Sequence, residues 1–98
     1  MIVYGKEILE AFVIKHAISK KAVDRWLKVI EEATFHSFND LKSAFPTVSY
    51  VGNERYVFNL KGNNYRVIAV IAFIGNAMVV RWIGTHAEYD KIEDCSKI

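Results

Sequence analysis

The segment "GTHAEYDK", residues 84–91, concentrates side chains that can take part in acid–base chemistry. These side chains are His86, Glu88, Tyr89, Asp90 and Lys91. A histidine can gain or lose a proton near neutral pH, and a tyrosine hydroxyl beside a positive charge can bond a reacting oxygen. Each also has an ordinary explanation, His86 as a hydrogen-bonding residue at a strand end and Tyr89 as a packing aromatic. The segment is therefore a candidate catalytic site if a cation lies beside it.

Arg66 stands at the start of the most apolar strand of the chain and can supply that cation. The stretch "ERYVFNLKGNNYRVIAVIAF", residues 54–73, predicts two antiparallel strands joined by a turn. A two-residue turn at Gly62-Asn63 or a four-residue loop over 61–64 places Asn59 opposite Arg66. Both alternatives give the same register, so the position of Arg66 does not depend on choosing between them.

A second turn, at Gly75-Asn76, predicts how the last strand pairs. A two-residue turn there gives three pairs across the strands: Val70 with Arg81, Ile68 with Ile83, and Arg66 with Thr85. His86 and Tyr89 then emerge within a residue or two of the Arg66 guanidinium. This convergence is what makes the three residues a candidate catalytic set.

Because side chains alternate along a strand, these registers divide the sheet into two faces. One face is wholly apolar or aromatic and should pack against the helices: Tyr56, Phe58, Leu60, Tyr65, Val67, Ala69, Ile71, Phe73, Met78, Val80 and Trp82. The other mixes arginines with aliphatic residues: Arg55, Val57, Asn59, Arg66, Ile68, Val70, Val79, Arg81, Ile83 and Thr85. This arginine face suits a phosphate-bearing ligand. Arginines on the wet face of an antiparallel sheet can equally be ordinary solubilising residues.

The order of hydrophobic patterns predicts an α+β fold in a single domain, residues 1–98. "MIVY" is a short N-terminal strand, and two to three helices follow in "KEILEAFVIKHA", "KKAVDRWLKVIEEA" and "HSFNDLKSAFP". Ser19 and Ser37 are candidate N-caps, and Pro46 should end the third helix. A three-stranded antiparallel meander then completes the chain, with the helices on one face.

Composition excludes several classes of protein. The chain has 98 residues, is 52% hydrophobic and carries a net charge of +2, so it is globular without being strongly basic. No apolar run is long enough to span a membrane, and no signal peptide is indicated. The single cysteine, Cys95, fits a reducing compartment, so we expect a cytoplasmic protein. Neither metal-ligand spacing nor a phosphate-binding loop is present, and no cofactor is expected.

Two stretches of the sequence resemble a known family. "FPTVSYVGNERYVFNLKGNNYRVIAVIAF" and "MVVRWIGTHAEYDK" are similar to the HigB-type toxins of bacterial toxin–antitoxin pairs, within the wider RelE-like group. The hairpin "YVFNLKGNNYR" and the terminal "THAEYD" carry most of the similarity. The resemblance implies the RelE-like fold over nearly the whole chain.

The resemblance also implies an activity and a set of partners. Such toxins are small cytoplasmic endoribonucleases that cut mRNA without a metal, usually in a translating ribosome, and a cognate antitoxin of the HigA type silences them. Arg66 corresponds to the strand arginine of the motif, with His86 and Tyr89 as the terminal pair. The supporting RNA contacts implied are Asn59, Asn64, Arg81 and Lys91, and Lys61, at the tip of the first turn, can also reach a backbone phosphate. The low net charge makes the ribosome an important source of binding energy.

Two alternatives remain open at the level of sequence. The chain could be an RNA- or protein-binding module that uses the arginine face without cutting, or a degenerate toxin kept for regulation. A bound antitoxin would also explain the aliphatic residues of the arginine face, which the predicted sheet leaves uncovered: Val57, Ile68, Val70 and Ile83.

Overall fold

Five strands form one mixed sheet in the computed structural model, which describes residues 1–98. They are β1 (Ile2–Tyr4), β2 (Ser49–Gly52), β3 (Arg55–Leu60), β4 (Tyr65–Ala72) and β5 (Ala77–Thr85), in the spatial order β1-β5-β4-β3-β2. Neighbouring strands are antiparallel, except that β1 runs parallel to β5. The α+β class is confirmed, but the predicted three-stranded meander is too small. Strand β2 was missed because four residues are too few to show a period of two.

The three longer helices pack on one face of this sheet. They are α1 (Lys6–Lys15), α2 (Lys20–Glu32) and α3 (Phe38–Ala44), while a short α4 (His86–Tyr89) follows β5. Their apolar side chains share one core with the predicted apolar face of the strands, and Val67, Ala69 and Met78 are fully buried there. The longest helix has 13 residues, and none combines the length and apolar character that crossing a membrane requires.

Of the two predicted N-caps, one is confirmed and one is wrong. The Ser37 hydroxyl accepts a hydrogen bond from the Asp40 backbone N–H at 3.2 Å, and α3 ends at Ala44, before Pro46. Ser19 makes no such cap. It is buried, and its hydroxyl donates to the His16 carbonyl at 2.6 Å, because a tight turn between α1 and α2 draws the side chain backwards.

The first hairpin has the predicted register and the second does not. Asn59 lies opposite Arg66, and the connection is the four-residue loop 61–64. In the second hairpin Ala72 pairs with Ala77, so that turn also has four residues rather than two. Val70 consequently faces Val79 and not Arg81.

A β-bulge at Arg81 moves the side chains of the later residues of β5 to the face opposite the predicted one. The pairing shifts by one residue between Ala69–Val80 and Ile68–Trp82, and Arg81 has no partner of its own. Ile68 therefore faces Trp82 rather than Ile83. The run "VVRWI" is apolar on both sides of Arg81, so the hydrophobic pattern cannot reveal a slip that leaves an apolar residue pointing into the core.

The bulge corrects several predicted positions. Arg66 lies opposite Gly84, while Thr85 pairs with Tyr65 on the helix side. Ile83 joins the helix-packed core, and Trp82 lies on the opposite face. The predicted convergence of Arg66, His86 and Tyr89 was derived from the pair of Arg66 with Thr85, which is wrong. The three residues still lie together, because the actual partner, Gly84, is only one residue away from Thr85.

The sequence predicted that the arginine face is open, but the C-terminal segment 86–98 lies across it. The Asn53 amide donates to the Ser96 carbonyl at 3.1 Å beside β2, and Arg81 Nε donates to the backbone oxygen of Ile98 at 3.1 Å beside β5. Val57 and Ile68 are consequently 2% and 0% exposed, Val70 is half-buried, and Ile83 lies in the core on the helix side. The chain itself therefore covers most of this aliphatic surface, and a bound antitoxin is not needed to explain it.

Candidate active site

The site lies at the edge of the sheet where β4 begins and β5 ends. The loop 61–64 leads into Arg66, and Gly84, opposite it, leads into α4, which begins at His86. The backbone N–H of His86 donates to the carbonyl of Asn64 at 2.9 Å, which ties α4 to this loop. Two segments that are distant in sequence are thereby held together by main-chain contacts.

The guanidinium of Arg66 is buried and almost fully bonded. The residue is 7% exposed. Nη1 donates to the carbonyls of Asn63 at 3.0 Å and Tyr65 at 3.3 Å, while Nη2 donates to the Asn63 side-chain oxygen and to Nδ1 of His86, the latter at 2.8 Å. The arginine projects from the face opposite α1–α3 as predicted, but the loop and α4 enclose it.

These contacts determine which nitrogen of His86 carries the proton. A guanidinium can only donate, so Nδ1 of His86 must accept from Arg66 and the proton of the neutral ring must be on Nε2. Nε2 lies 3.1 Å from Oδ2 of Asp90, one turn further along the chain. The side chains of His86 and Asp90 are 44% and 58% exposed, so this pair faces solvent. Arg66 is thus bonded to His86, and His86 to Asp90, and we call these three side chains the relay.

The ring of Tyr89 packs against the Arg66 guanidinium of this relay. Its ring centroid lies 5.4 Å from the Arg66 guanidinium carbon, within cation–π range, and 6.3 Å from the ring of Trp82. Burial and then a hydrogen bond with Cys95 raise the pKa of the Tyr89 hydroxyl above its usual 10.0, although the Arg66 charge acts in the opposite direction. Tyr89 is therefore a neutral phenol at physiological pH.

A capping box holds the start of α4. The Thr85 hydroxyl accepts from the Glu88 backbone N–H at 3.2 Å, and the Glu88 carboxylate accepts from the Thr85 backbone N–H at 2.8 Å. The Thr85 backbone bond is the main cause that lowers the pKa of Glu88 below 4.5. This cap orients α4, and with it the ring of His86.

The five predicted RNA contacts are distributed unequally around this centre. Lys61 and Asn64 are exposed on the loop beside Arg66, Asn59 is half-buried across the strand, and Lys91 is exposed just after α4. Arg81 is separate. Its place at the bulge puts it about 10 Å along the strand from Gly84, and its Nε already bonds Ile98.

Sequence reasoning missed two residues of the site, Asn63 and Asp90. Asn63 was interpreted only as a turn residue, yet its backbone and side chain both hold Arg66. Asp90 belonged to the acid–base segment but was given no role. Its spacing of four from His86 is a usable signal once the segment is known to be helical, because such residues share a helix face.

Two further features bear on what the site can bind. No group of three or more His, Cys, Asp or Glu side chains in the structure is arranged to hold a metal ion. His16 follows α1 as its C-cap, and its ring stacks on Phe12 with centroids 4.4 Å apart and lies 6.4 Å from the ring of Tyr65, without a hydrogen bond to Arg66 or His86. The chemistry available at the site is thus that of one guanidinium, one imidazole, one carboxylate and one phenol.

Comparison with known proteins gives consistent matches. Residues 19–92 match the profile of the HigB toxin family, described as the RelE-like toxic component of a toxin–antitoxin system. An "mRNA interferase HigB" of Escherichia coli O6:H1 is 34% identical over 94 residues, which cover 94% of this chain and 91% of that protein. The "mRNA interferase toxin HigB" of Escherichia coli K12 and an "mRNA interferase HigB" of Shigella flexneri are each 36% identical over 64 residues, covering 62% of this chain and 61% of each relative.

Proposed function

Because the chain belongs to the HigB toxin family of RelE-like toxins, we propose that it is an endoribonuclease that cleaves mRNA and that an antitoxin neutralises it. The observation that carries this proposal is the 2.8 Å contact between Arg66 and His86 at a solvent-facing edge of the sheet. A guanidinium that can bind phosphate and an imidazole that can accept a proton are there joined by one hydrogen bond. RNA cleavage by its own 2′-hydroxyl requires that combination.

Arg66 binds the scissile phosphate in this proposal. In the free protein its donors bond mainly neutral oxygens of Asn63 and Tyr65 and a neutral imidazole nitrogen. A phosphate carries a negative charge, so it attracts the guanidinium more strongly than these neutral acceptors do. A phosphodiester arriving at the edge therefore displaces some of these bonds and draws the guanidinium toward itself.

His86 is the general base. When Arg66 turns to the phosphate, Nδ1 of His86 loses its donor and exposes a lone pair beside the bound substrate. It takes the proton of the ribose 2′-hydroxyl, the 2′-oxygen forms a bond to phosphorus, and the bond from phosphorus to the 5′-oxygen breaks. The products are a cyclic phosphate and a 5′-hydroxyl, whose proton comes from water.

Asp90 and Tyr89 support this step without touching the reacting atoms. Asp90 accepts a hydrogen bond from Nε2–H at 3.1 Å and stabilises the imidazolium that forms when Nδ1 is protonated. Tyr89 holds the guanidinium against its ring. Arg66 then stabilises the extra negative charge on the non-bridging oxygens in the transition state, a contribution of about 10²–10³ in rate.

The exposed residues around the site supply the remaining RNA contacts. Lys61, Asn64 and Lys91 are free to meet backbone phosphates, while Asn59 lines the approach from β3. Arg81 would have to release Ile98 to join them. With a net charge of only +2, the protein draws much of its binding energy from the ribosome that presents the message, and it acts in the cytoplasm.

Cleavage of a defined mRNA, with and without stalled ribosomes, tests the proposal. We expect the wild-type protein to cut the ribosome-bound message and leave a 5′-hydroxyl, and we expect His86→Ala to be inactive. His36→Ala is the matched control, because His36 is exposed in the segment before α3 and makes no contact with the relay. A folded wild-type protein that leaves the message intact in every setting would overturn the proposal.

One observation favours a second candidate, a binding module that does not cut RNA. Arg66 is 7% exposed and its donors are occupied, which is also the arrangement expected of a purely structural arginine. Induced expression in bacteria separates the two functions. Growth arrest that Arg66→Ala abolishes supports the nuclease, whereas an equal effect of both proteins supports the binding module.

A further inference from the structure

A groove of about 610 Å³ lies on the helical side of the molecule and reaches, at one end, the loop beside the proposed relay. It runs between α2 and the loop that connects β3 to β4. Its lining includes charged and large apolar side chains, namely Ile18, Lys21, Arg25, Trp26, Val29 and Lys61. We call it the basic groove.

The charged residues of the basic groove are all cations. Lys21, Arg25 and Lys61 line it, no acidic residue does, and none of the three takes part in an ion pair. A second groove of about 350 Å³ on the other side of α2 provides the contrast, because its two lysines are balanced by Glu10 and Asp24. Unbalanced positive charge is therefore particular to the basic groove.

The groove also exposes aliphatic surface. Ile18 is 73% exposed and Val29 39% exposed, although both are large hydrophobic residues. Beneath them Trp26 is 3% exposed, and its buried Nε1–H has no acceptor in the chain. Exposed aliphatic side chains beside unpaired cations can contact a partner that carries both apolar and acidic groups.

We propose that the basic groove is the docking site for an acidic, amphipathic segment of the antitoxin. Such a segment lays its apolar side chains on Ile18 and Val29 and its carboxylates on Lys21, Arg25 and Lys61. This proposal rests on the toxin function proposed above, since that function requires an antitoxin.

The chemistry of the groove fits a protein better than RNA. Single-stranded RNA is commonly bound by exposed aromatic rings on which bases stack. Here the exposed apolar side chains are aliphatic, and Trp26 is covered. An aliphatic floor with a cationic rim is instead the complement of an amphipathic helix with acidic edges.

The groove also suggests how binding at this place affects the relay. Lys61 and Gly62 line one end of it. The next residue of the same loop, Asn63, holds the Arg66 guanidinium. An occupant that braces this loop keeps Arg66 on Asn63 and hinders its movement toward a phosphate.

The double variant Arg25→Glu, Val29→Asp tests the proposal. The probe is the purified antitoxin encoded beside the toxin gene, with affinity measured by titration calorimetry and growth arrest measured with and without its co-expression. Both positions are exposed and neither belongs to the relay, so the fold and basal cleavage should be unchanged. The matched control is Lys28→Glu, Ile14→Asp, which makes the same kinds of change outside the basic groove.

We expect the groove variant to lose at least about 10-fold in antitoxin affinity and to arrest growth even when the antitoxin is co-expressed. The control should bind and be neutralised normally. Wild-type affinity in the groove variant would overturn the proposal, as would loss of mRNA cleavage with antitoxin binding intact, which would make the groove an RNA surface. Because affinity is measured apart from cleavage, an inactive wild-type protein would refute the nuclease function alone.

Discussion

Nη2 of Arg66 lies 2.8 Å from Nδ1 of His86, and this contact joins the start of β4 to the start of α4. It assigns the imidazole proton to Nε2, and this N–H donates a hydrogen bond to the Asp90 carboxylate. The free protein thus holds its proposed base with the reactive lone pair covered by the group that binds the phosphate. Substrate binding is then what uncovers the base.

Replacement of Arg66 by lysine should lower cleavage almost as much as replacement by alanine. An ammonium keeps the charge but lacks the planar fork that bonds Asn63, His86 and a phosphate together. We expect both variants to lose about 10²–10³ in single-turnover rate on a ribosome-bound mRNA. Arg55→Lys, on the same face of the sheet, is the control and should cleave normally. Wild-type rates in Arg66→Lys would show that charge alone suffices.

Asp90→Asn tests whether this carboxylate positions His86. The variant should cleave about 10–100-fold more slowly, because the imidazolium formed during proton transfer loses a charged hydrogen-bond partner. The loss should appear in the single-turnover rate and not in the affinity for the message, because Asp90 contacts His86 and not the RNA. Glu93→Gln, an exposed carboxylate nearby, is the control. Weaker RNA binding with an unchanged single-turnover rate would contradict the role of Asp90.

Tyr89→Phe should be nearly as active as the wild type, whereas Tyr89→Ala should not. Burial and the bond to Cys95 raise the pKa of the hydroxyl, so its proton is retained at neutral pH and is not used in the proposed reaction. The ring, which Phe preserves, is what contacts Arg66. Cleavage rates of the two variants compared at pH 7 test this. A large loss in Tyr89→Phe would assign a chemical role to the hydroxyl.

Glu88→Gln should destabilise the protein at pH 7 but not in acid. The pKa of Glu88 is lowered in the folded state, so its carboxylate stabilises the fold above the unfolded value, and that stability is lost as the pH falls through the folded value. Because the side chain is largely exposed, we expect about 0.5 kcal/mol at pH 7. Urea unfolding at pH 7 and at pH 3 measures the difference. An equal effect at both values would mean that charge is not involved.

Gly84→Ala should destabilise the fold and slow cleavage together. A Cβ at position 84 would lie 2.4 Å from Trp82 Cη2, so the indole must move, and it packs beside Tyr89. We expect a cost of about 1–3 kcal/mol, measured by thermal unfolding. Gly75→Ala is the matched control, because its nearest contact would be Ala72 at 3.8 Å. Equal stability of the two variants would mean that Trp82 adapts freely.

Local sequence patterns were sufficient to predict the helices, the long strands and the first hairpin. Periodicity of two and of 3.6 located the helices and the long strands, and the loop after Leu60 set the register that places Asn59 opposite Arg66. These features depend on residues close together in the chain, where turn chemistry and the alternation of side chains act directly. The candidate trio of Arg66, His86 and Tyr89 was identifiable because the error in the second hairpin moved the partner of Arg66 by only one residue, from Thr85 to Gly84.

The bulge at Arg81, the place of β1 beside β5 and the course of the C-terminal segment could not be predicted from local patterns. Pairing of Ile2 with Ala77 joins distant parts of the chain, and no local pattern encodes it. The bulge could not be predicted because the residues on both sides of Arg81 are apolar, so either register buries hydrophobic surface. The burial of Arg66 follows from long-range packing of α4 against the loop at Asn63, which surrounds the guanidinium with hydrogen-bond acceptors instead of leaving it on an open face.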